Sequence, residues 1–195
     1  MKAEILKKEI IYKGFFRLSR LTIEHNLYQG GKAKVVRELL ERGHAVAVLL
    51  YDAHQDRVVL VEQFRVGVLE DENSWLLEVV AGMIEEGEEP EEVAFRESME
   101  EAGCKIKELI KIGQYYSSPG GSSEKITLYC GQVNSQSLAE YGGVSGEGED
   151  IRVVCLSAEE AFFRLENGAI NSATPMIALH WLLLNQERLQ ARWGI

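Results

Sequence analysis

Nine glutamates and a single basic residue, Arg96, occupy residues 85–101. Most glutamate runs are solvated helix faces. Here the spacing carries more. Residues 90–102 have helical periodicity, with Pro90 tolerated in the first turn and Gly103 placed to stop the helix. On a helix advancing ~100° per residue, Glu97, Glu100 and Glu101 fall within one sector of roughly 100°. Phe95, Met99 and Ala102 take the opposite side, so the helix is expected to pack through them and present the carboxylates on its other face. Three carboxylates ~4–6 Å apart repel by a few kcal/mol per pair, at an effective dielectric near ~20, before solvent relief. A hard divalent cation removes that cost. Mg²⁺ takes oxygen ligands, including one or two carboxylates, and leaves positions for water and substrate phosphate. The chemistry this pattern predicts is metal-assisted and acts on a phosphorylated substrate.

Positioning such a helix requires a sheet. Residues 4–40 alternate loosely between apolar and polar, with Gly30-Gly31 as a turn, and read as a small antiparallel unit. Strands are expected at 44–51, 57–64 and 75–80, then, after the helix, at 109–116, 125–133 and 151–156. Two further helices are expected, one over 158–167 ending at Gly168 and one from Pro175 onward with Thr174 as its N-cap. The fold class is α/β: a sandwich with a small N-terminal antiparallel β domain, divided as 1–42 and 43–195.

The chain has 195 residues, is 46% hydrophobic and carries a net charge of −10. Residues 85–101 supply −8 of it, and the rest of the chain is near neutral. No basic block is present, which argues against nucleic acid and against a polybasic membrane anchor. The longest apolar run, residues 45–51, is far short of the ~20 residues of a membrane span. The start, Met1-Lys2-Ala3-Glu4, lacks the apolar centre of a signal peptide. Cys104, Cys130 and Cys155 are odd in number and far apart, and are expected to be buried thiols in a cytoplasmic protein. Trp75 and Trp181 are expected to pack, and His44 to be structural.

Gly82, Glu88, and the run Arg96-Glu97-Ser98-Met99-Glu100-Glu101-Ala102-Gly103-Cys104 resemble the Nudix box, G-x5-E-x7-R-E-U-x-E-E-x-G-U, in all seven fixed letters. Ser98 stands where an aliphatic residue is usual. Gly82, Arg96 and Gly103 discriminate most, because glutamate is abundant in this stretch. Residues 76–85, 118–121 and 146–152, with Arg42-Gly43-His44-Ala45 and Val61-Glu62-Gln63-Phe64-Arg65, narrow the resemblance to the ADP-ribose pyrophosphatase subfamily. That resemblance implies a Nudix α/β/α sandwich behind an N-terminal β domain that is exchanged in a homodimer. It also implies Mg²⁺-dependent hydrolysis of ADP-ribose to AMP and ribose 5-phosphate, with Mn²⁺ as an alternative ion.

Carried over residue by residue, the resemblance makes Glu97, Glu101 and the carbonyl of Ala81 metal ligands, with Glu100 and Glu149 serving further ions. Glu147, in the glycine-rich loop 142–150, is similar to the general base, with Glu149 and Glu124 as alternatives. Gly82, Glu88, Arg96 and Gly103 are the structural box residues, and Arg96 is expected to pair with Glu88 or Glu97. Substrate contacts are implied for Arg37, Glu38, Arg42, Arg65, Met83, Ser118, Pro119, Gly120 and Glu124. Phe15 and Phe16 match aromatics that reach adenine from the partner chain. Taken singly, these aromatics read as core, the Ser-Pro-Gly-Gly segment as a turn and the arginines as surface; their joint match carries the reading. Two alternatives stand beside it: a GDP-mannose or other nucleoside diphosphate sugar pyrophosphatase, and a Nudix module that binds ADP-ribose without hydrolysing it.

Overall fold

The computed structural model describes residues 1–136, 138–144, 146 and 148–194. The chain divides into two compact units, Met1–His44 with Tyr115–Ile126, and Ala45–Gln114 with Thr127–Ile195.

The first unit is built on a three-stranded antiparallel sheet in the order β1 (Ala3–Lys13), β2 (Arg17–Asn26), β3 (Lys32–Glu41). Gly30 and Gly31 both take positive φ in the β2–β3 turn, which glycine adopts without strain. Segment 118–123 is fastened to β3: the Leu40 N–H donates to the Gly121 carbonyl at 2.8 Å, and the Ser123 N–H to the Leu40 carbonyl at 3.1 Å. Every residue of β1 is exposed, its isoleucines included.

The second unit holds an eight-stranded sheet. Its path runs β10 (Tyr141–Gly142), β11 (Ile151–Ser157), β5 (Arg57–Phe64), β4 (Ala45–Asp52), β9 (Lys125–Gln132), β8 (Glu108–Tyr116). All eight residues of β4 are buried, as expected for a strand covered on both faces. Val46, Val48 and Leu50 share a core with Val93, Ala94 and Ala102 of α1 (Pro90–Ala102). The other face is covered by α3 (Ala173–Trp193), whose Leu179, Leu182 and Leu189 are fully buried. Tyr51 and Gln186 of α3 both donate to Oδ1 of Asp56. Helix α2 (Ala158–Glu166) follows β11, capped by Ser157, whose hydroxyl accepts the Glu160 N–H.

The expected single strand over 75–80 is two. β4 and β5 pair with each other only at Leu50–Val59, Tyr51–Val58 and Asp52–Arg57. Beyond that point their facing edges are taken separately: β6 (Trp75–Glu78) pairs with β5 and β7 (Val80–Met83) with β4. Val79 is the buried residue at which the chain changes partner. A change of pairing partner leaves no trace in the apolar run itself. α3 begins at Ala173 with Ser172 as N-cap, earlier than the expected Thr174, so that Pro175 sits inside the first turn, where its missing N–H has no helical partner to lose. Among the described residues, no helix is long and apolar enough to cross a membrane.

Candidate metal and phosphate site

Helix α1 spans the predicted residues, and its ends explain why. Glu89 and Glu92 form a capping box in front of Pro90. At the other end Gly103 is left-handed (φ 62°), and the N–H groups of Gly103 and Cys104 return to the carbonyls of Met99 and Ser98.

The face it buries keeps Ser98 and Ala102 where they were expected but differs at Phe95 and Met99. Val93, Ala94, Ser98, Glu101 and Ala102 are inside, whereas Phe95 is 44% and Met99 52% exposed. The helix is rotated so that a carboxylate, not the larger apolar residues, meets the sheet. Ser98 fits its buried position because its hydroxyl donates to the Ala94 carbonyl at 2.7 Å.

Glu101 is only 2% exposed, and one oxygen accepts the Ala81 N–H of β7 at 3.1 Å. Burial pushes its carboxyl up to about 8; the Ala81 N–H opposes the rise and the charges of Glu97 and Glu149 add to it. Burial also raises the Glu97 carboxyl, against the pull of Arg96. Glu97 lies over the backbone of Gly82: a Cβ there would fall 1.8 Å from its Oε1. Only glycine leaves that path open.

Arg96 fastens three box carboxylates. Its Nη1 lies 2.8 Å from Oε1 of Glu97 and 3.0 Å from Oε2 of Glu100, and its Nε 3.4 Å from Oε1 of Glu88. Both expected partners are present, and Glu100 is a third. Glu88 also accepts the Glu85 N–H at 2.9 Å, holding the turn before the helix.

The loop after β10 is docked on the end of α1. The Gly143 N–H donates to the Glu100 carbonyl at 2.8 Å, and a Cβ on Gly142 would fall 1.9 Å from the Glu101 carbonyl oxygen. Glu149 accepts the Val144 N–H at 3.0 Å, and its charge is felt by Glu97 and Glu101. Glu147, read as the general base, lies outside the described residues.

Among the described residues, no three His, Cys, Asp or Glu side chains converge closely enough to hold an ion as they stand, and Arg96 pairs with both Glu97 and Glu100. The donor chemistry nevertheless fits a divalent cation. A carboxyl raised by burial, with like charges adding to the rise, beside a second carboxyl that burial also raises, is a site whose ionised form a cation would stabilise.

The remaining predicted residues fall in both units. In the first, the Arg42 guanidinium lies 5.5 Å from the Phe16 ring centre, and its Nε pairs with the buried Glu124 at 3.1 Å. Phe15 packs edge-on against Phe16 with centres 5.0 Å apart. Arg37 donates to the Val36 carbonyl, and Glu38 pairs with Arg20 at 3.1 Å. Ser118, Pro119 and Gly120 form an exposed turn closed by the Ser122 N–H on the Ser118 carbonyl. His44 accepts the Lys125 N–H, a structural role. In the second unit, Met83 ends β7, and Arg65 donates through Nε to Glu78 at 2.6 Å.

Three expectations about bland residues change or gain detail. Trp75 is half exposed, packing only edge-on to Phe64. Trp181 carries Arg188 over its ring at 5.9 Å. The thiols are free, with Cys104 and Cys130 buried and Cys155 only partly so. Two residues near the site escaped the sequence reading. Glu78 interrupts the apolar run Trp75-Leu76-Leu77-Glu78-Val79-Val80, and a carboxylate within an apolar run is itself a signal. Gln63, on the same strand face as Val59 and Val61, has a buried amide nitrogen with no hydrogen-bond partner among the described residues.

Comparison with known proteins agrees with this geometry. The NUDIX domain model matches residues 41–177. An ADP-ribose pyrophosphatase of Haemophilus influenzae is 44% identical, covering 97% of this chain and 90% of the relative. A GDP-mannose pyrophosphatase of Cronobacter sakazakii is 32% identical, covering 94% and 96%. A crystal structure of an ADP compounds hydrolase superposes with a TM-score of 0.73 at 22% identity, over 100% of this chain and 98% of the other. That last likeness bears on the fold, an α/β sandwich with an antiparallel three-stranded N-terminal sheet.

Proposed function

This chain belongs to the Nudix family, and on that premise we propose that it hydrolyses the pyrophosphate bond of ADP-ribose, giving AMP and ribose 5-phosphate. The observation that carries the chemistry is the burial of Glu101 beside Glu97 and Glu149, against the Ala81–Gly82 backbone. The near-full-length similarity to an ADP-ribose pyrophosphatase supports the substrate.

Nudix hydrolases are generally dependent on a divalent metal. The residues that would hold it are Glu97, Glu101 and the Ala81 carbonyl, with Glu149 and Glu100 for further ions. An all-oxygen set of this kind suits Mg²⁺, and Mn²⁺ next. Bound cations would neutralise the pyrophosphate and stabilise charge on the leaving phosphate. Glu147 accepts a proton from the attacking water as its oxygen bonds to phosphorus and the bridging P–O bond breaks. Arg96 orients Glu97, and Gly142 and Gly143 seat the acidic loop on the helix. Arg37, Glu38, Arg42, Phe15, Phe16, Ser118, Pro119, Gly120, Glu124, Arg65 and Met83 are assigned to substrate binding, the arginines to its phosphates. Gly82, Glu88 and Gly103 shape the box.

Incubation with Mg²⁺ and ADP-ribose should release AMP. Absence of AMP with micromolar enzyme would overturn the reading. The similarity to a GDP-mannose pyrophosphatase favours one second reading, so kcat/KM is compared for ADP-ribose, GDP-mannose and NADH on one preparation. Binding of ADP-ribose without product, in Mg²⁺ or Mn²⁺, would instead identify a sensing module.

The N-terminal β domain, residues 1–42, is assigned to exchange in a homodimer; the exposed isoleucines of β1 support this. The molar mass in solution should be twice 21.9 kDa. Three free cysteines support a cytoplasmic, reducing compartment.

A further inference from the structure

Arg65 follows directly on β5, and its backbone is fixed by the Arg65 N–H, which donates to the Ser74 carbonyl at 2.8 Å. Its guanidinium is engaged on one edge only among the described residues: Nε donates to Oε2 of Glu78 at 2.6 Å. Glu78 is a rigid base for this contact. It ends β6, in register with Val61 of β5, and its side chain is only 16% exposed.

The second oxygen of Glu78 is also held. Oε1 accepts the hydroxyl of Ser172 at 3.2 Å, from a residue 94 positions further along the chain. Ser172 is the N-cap of α3, where a serine hydroxyl ordinarily accepts a helix N–H. It makes no such capping bond here. The hydroxyl that could close the helix is turned to a carboxylate instead.

We propose that Glu78 is a positioning residue, steadied by Ser172, that grips Arg65 by its Nε edge and leaves the Nη1–Nη2 edge set for a phosphate oxygen of the substrate. A guanidinium binds phosphate best through a planar pair of N–H donors. Freezing its rotation in advance removes the side-chain ordering that binding would otherwise require. The place is apt, since the charge of Arg65 is felt by the buried Glu101. The inference rests on the reading of Arg65 as a phosphate-holding residue of a sugar-nucleotide hydrolase.

Steady-state kinetics with ADP-ribose and Mg²⁺ on the full chain test it through a double-mutant cycle. Arg65→Ala should raise KM by roughly ten- to a hundredfold, and Glu78→Ala by about tenfold with kcat within about twofold. Glu78→Ala should add nothing in the Arg65→Ala background. Glu78→Gln keeps an acceptor for Nε and should recover most of the loss. Ser172→Ala should raise KM by about two- to threefold with unchanged Tm, because no capping bond is lost. Should Glu78→Ala fail to fold, Ser172→Ala carries the same cycle with Arg65→Ala.

The clamp is overturned if Glu78→Ala is fully multiplicative with Arg65→Ala, if it leaves KM untouched, or if Arg65→Ala itself has unaltered kinetics. Failure of the substrate reading looks different: the unaltered chain turns over no ADP-ribose. The cycle is then run on whichever sugar nucleotide it does hydrolyse, with the same outcomes deciding.

Discussion

The Glu97 carboxylate occupies the space in which a side chain at Gly82 would begin, with its Oε1, Cδ and Cγ at 1.8, 2.1 and 2.4 Å from an ideal Cβ. Gly82 does not need an unusual φ. Its lack of a side chain serves the neighbour and not its own backbone. Gly82→Ala must therefore move Glu97 off the β7 backbone. Overpacking of this kind costs about 1–3 kcal/mol of stability. The larger effect should fall on catalysis, because a displacement of about 1 Å can cost roughly a hundredfold. Measuring kcat/KM and Tm together checks it: near-normal turnover by a folded Gly82→Ala protein would remove Glu97 from the site.

Glu101 predicts a pH-dependent stability. Its carboxyl is raised to about 8 in the fold, from an ordinary value of 4.5. Between those values the folded state holds a proton that the unfolded state has lost. Its contribution is thus complete below about pH 4.5 and disappears as pH rises through about 8. Glu101→Gln keeps the shape and the Ala81 contact without the charge. In metal-free buffer the variant should be more stable than the parent at pH 8, by a few kcal/mol at most, and equal to it at pH 5. Added Mg²⁺ should raise the Tm of the parent more at pH 8 than at pH 6, and that of the variant hardly at all. A parent Tm that stays level from pH 5 to pH 8 in chelator would contradict the burial of a charge here.

Arg96 reaches Glu88, Glu97 and Glu100 through all three guanidinium nitrogens, Nη1 to Glu97 and Glu100 and both Nε and Nη2 to Glu88. A lysine ammonium is a compact point charge without that planar fork. Arg96→Lys should lower kcat/KM by at least about tenfold. The network is partly open to solvent, so the loss of stability should stay within about 1 kcal/mol. Loss of activity in proportion to loss of folded protein would show Arg96 to be merely a surface ion pair.

The limits of α1 were legible because both ends use local chemistry, a proline in the first turn and a left-handed glycine after the last. Its buried face was not. Apolar periodicity pointed to Phe95 and Met99, and the requirement that won was to lay Glu101 against β7. That Glu97 and Glu101 lie together could be read from spacing, since i and i+4 meet on one helix face. The Gly82–Glu97 contact could be suspected from the box alone, because a glycine among bulky neighbours usually marks close approach. The Glu78–Ser172 contact could not, because its partners are 94 residues apart and neither belongs to a local pattern. The division of residues 75–83 into two strands depends on β4 and β5 parting company, which is a property of the sheet and not of the segment.

The N-terminal sheet predicts its own assembly. Ile5, Ile10 and Ile11 of β1 are 40–57% exposed, and apolar residues left open on a strand are those that association of two chains would cover. Ile5→Lys with Ile10→Lys should leave Ala45–Gln114 folded, since neither residue belongs to that unit. The mass by light scattering should fall from twice 21.9 kDa to that of one chain. A doubled mass retained by the variant would place the dimer contact elsewhere.

The loop 142–150 supplies two glutamates whose roles can be separated. Glu149 is backed by the Val144 N–H, and its charge acts on Glu97 and Glu101, so it belongs electrostatically with those two carboxylates. A general base must instead be free to titrate while cations saturate its neighbours. Glu149→Gln should weaken metal binding, seen as a higher Mg²⁺ concentration for half-maximal rate and a smaller rise in Tm on adding Mg²⁺. Glu147→Gln should leave that rise intact and lower kcat by about a hundredfold or more, abolishing the acidic limb of the pH–rate profile. If Glu147→Gln keeps the parental rate while Glu149→Gln loses the acidic limb, the base is Glu149 and the two assignments exchange.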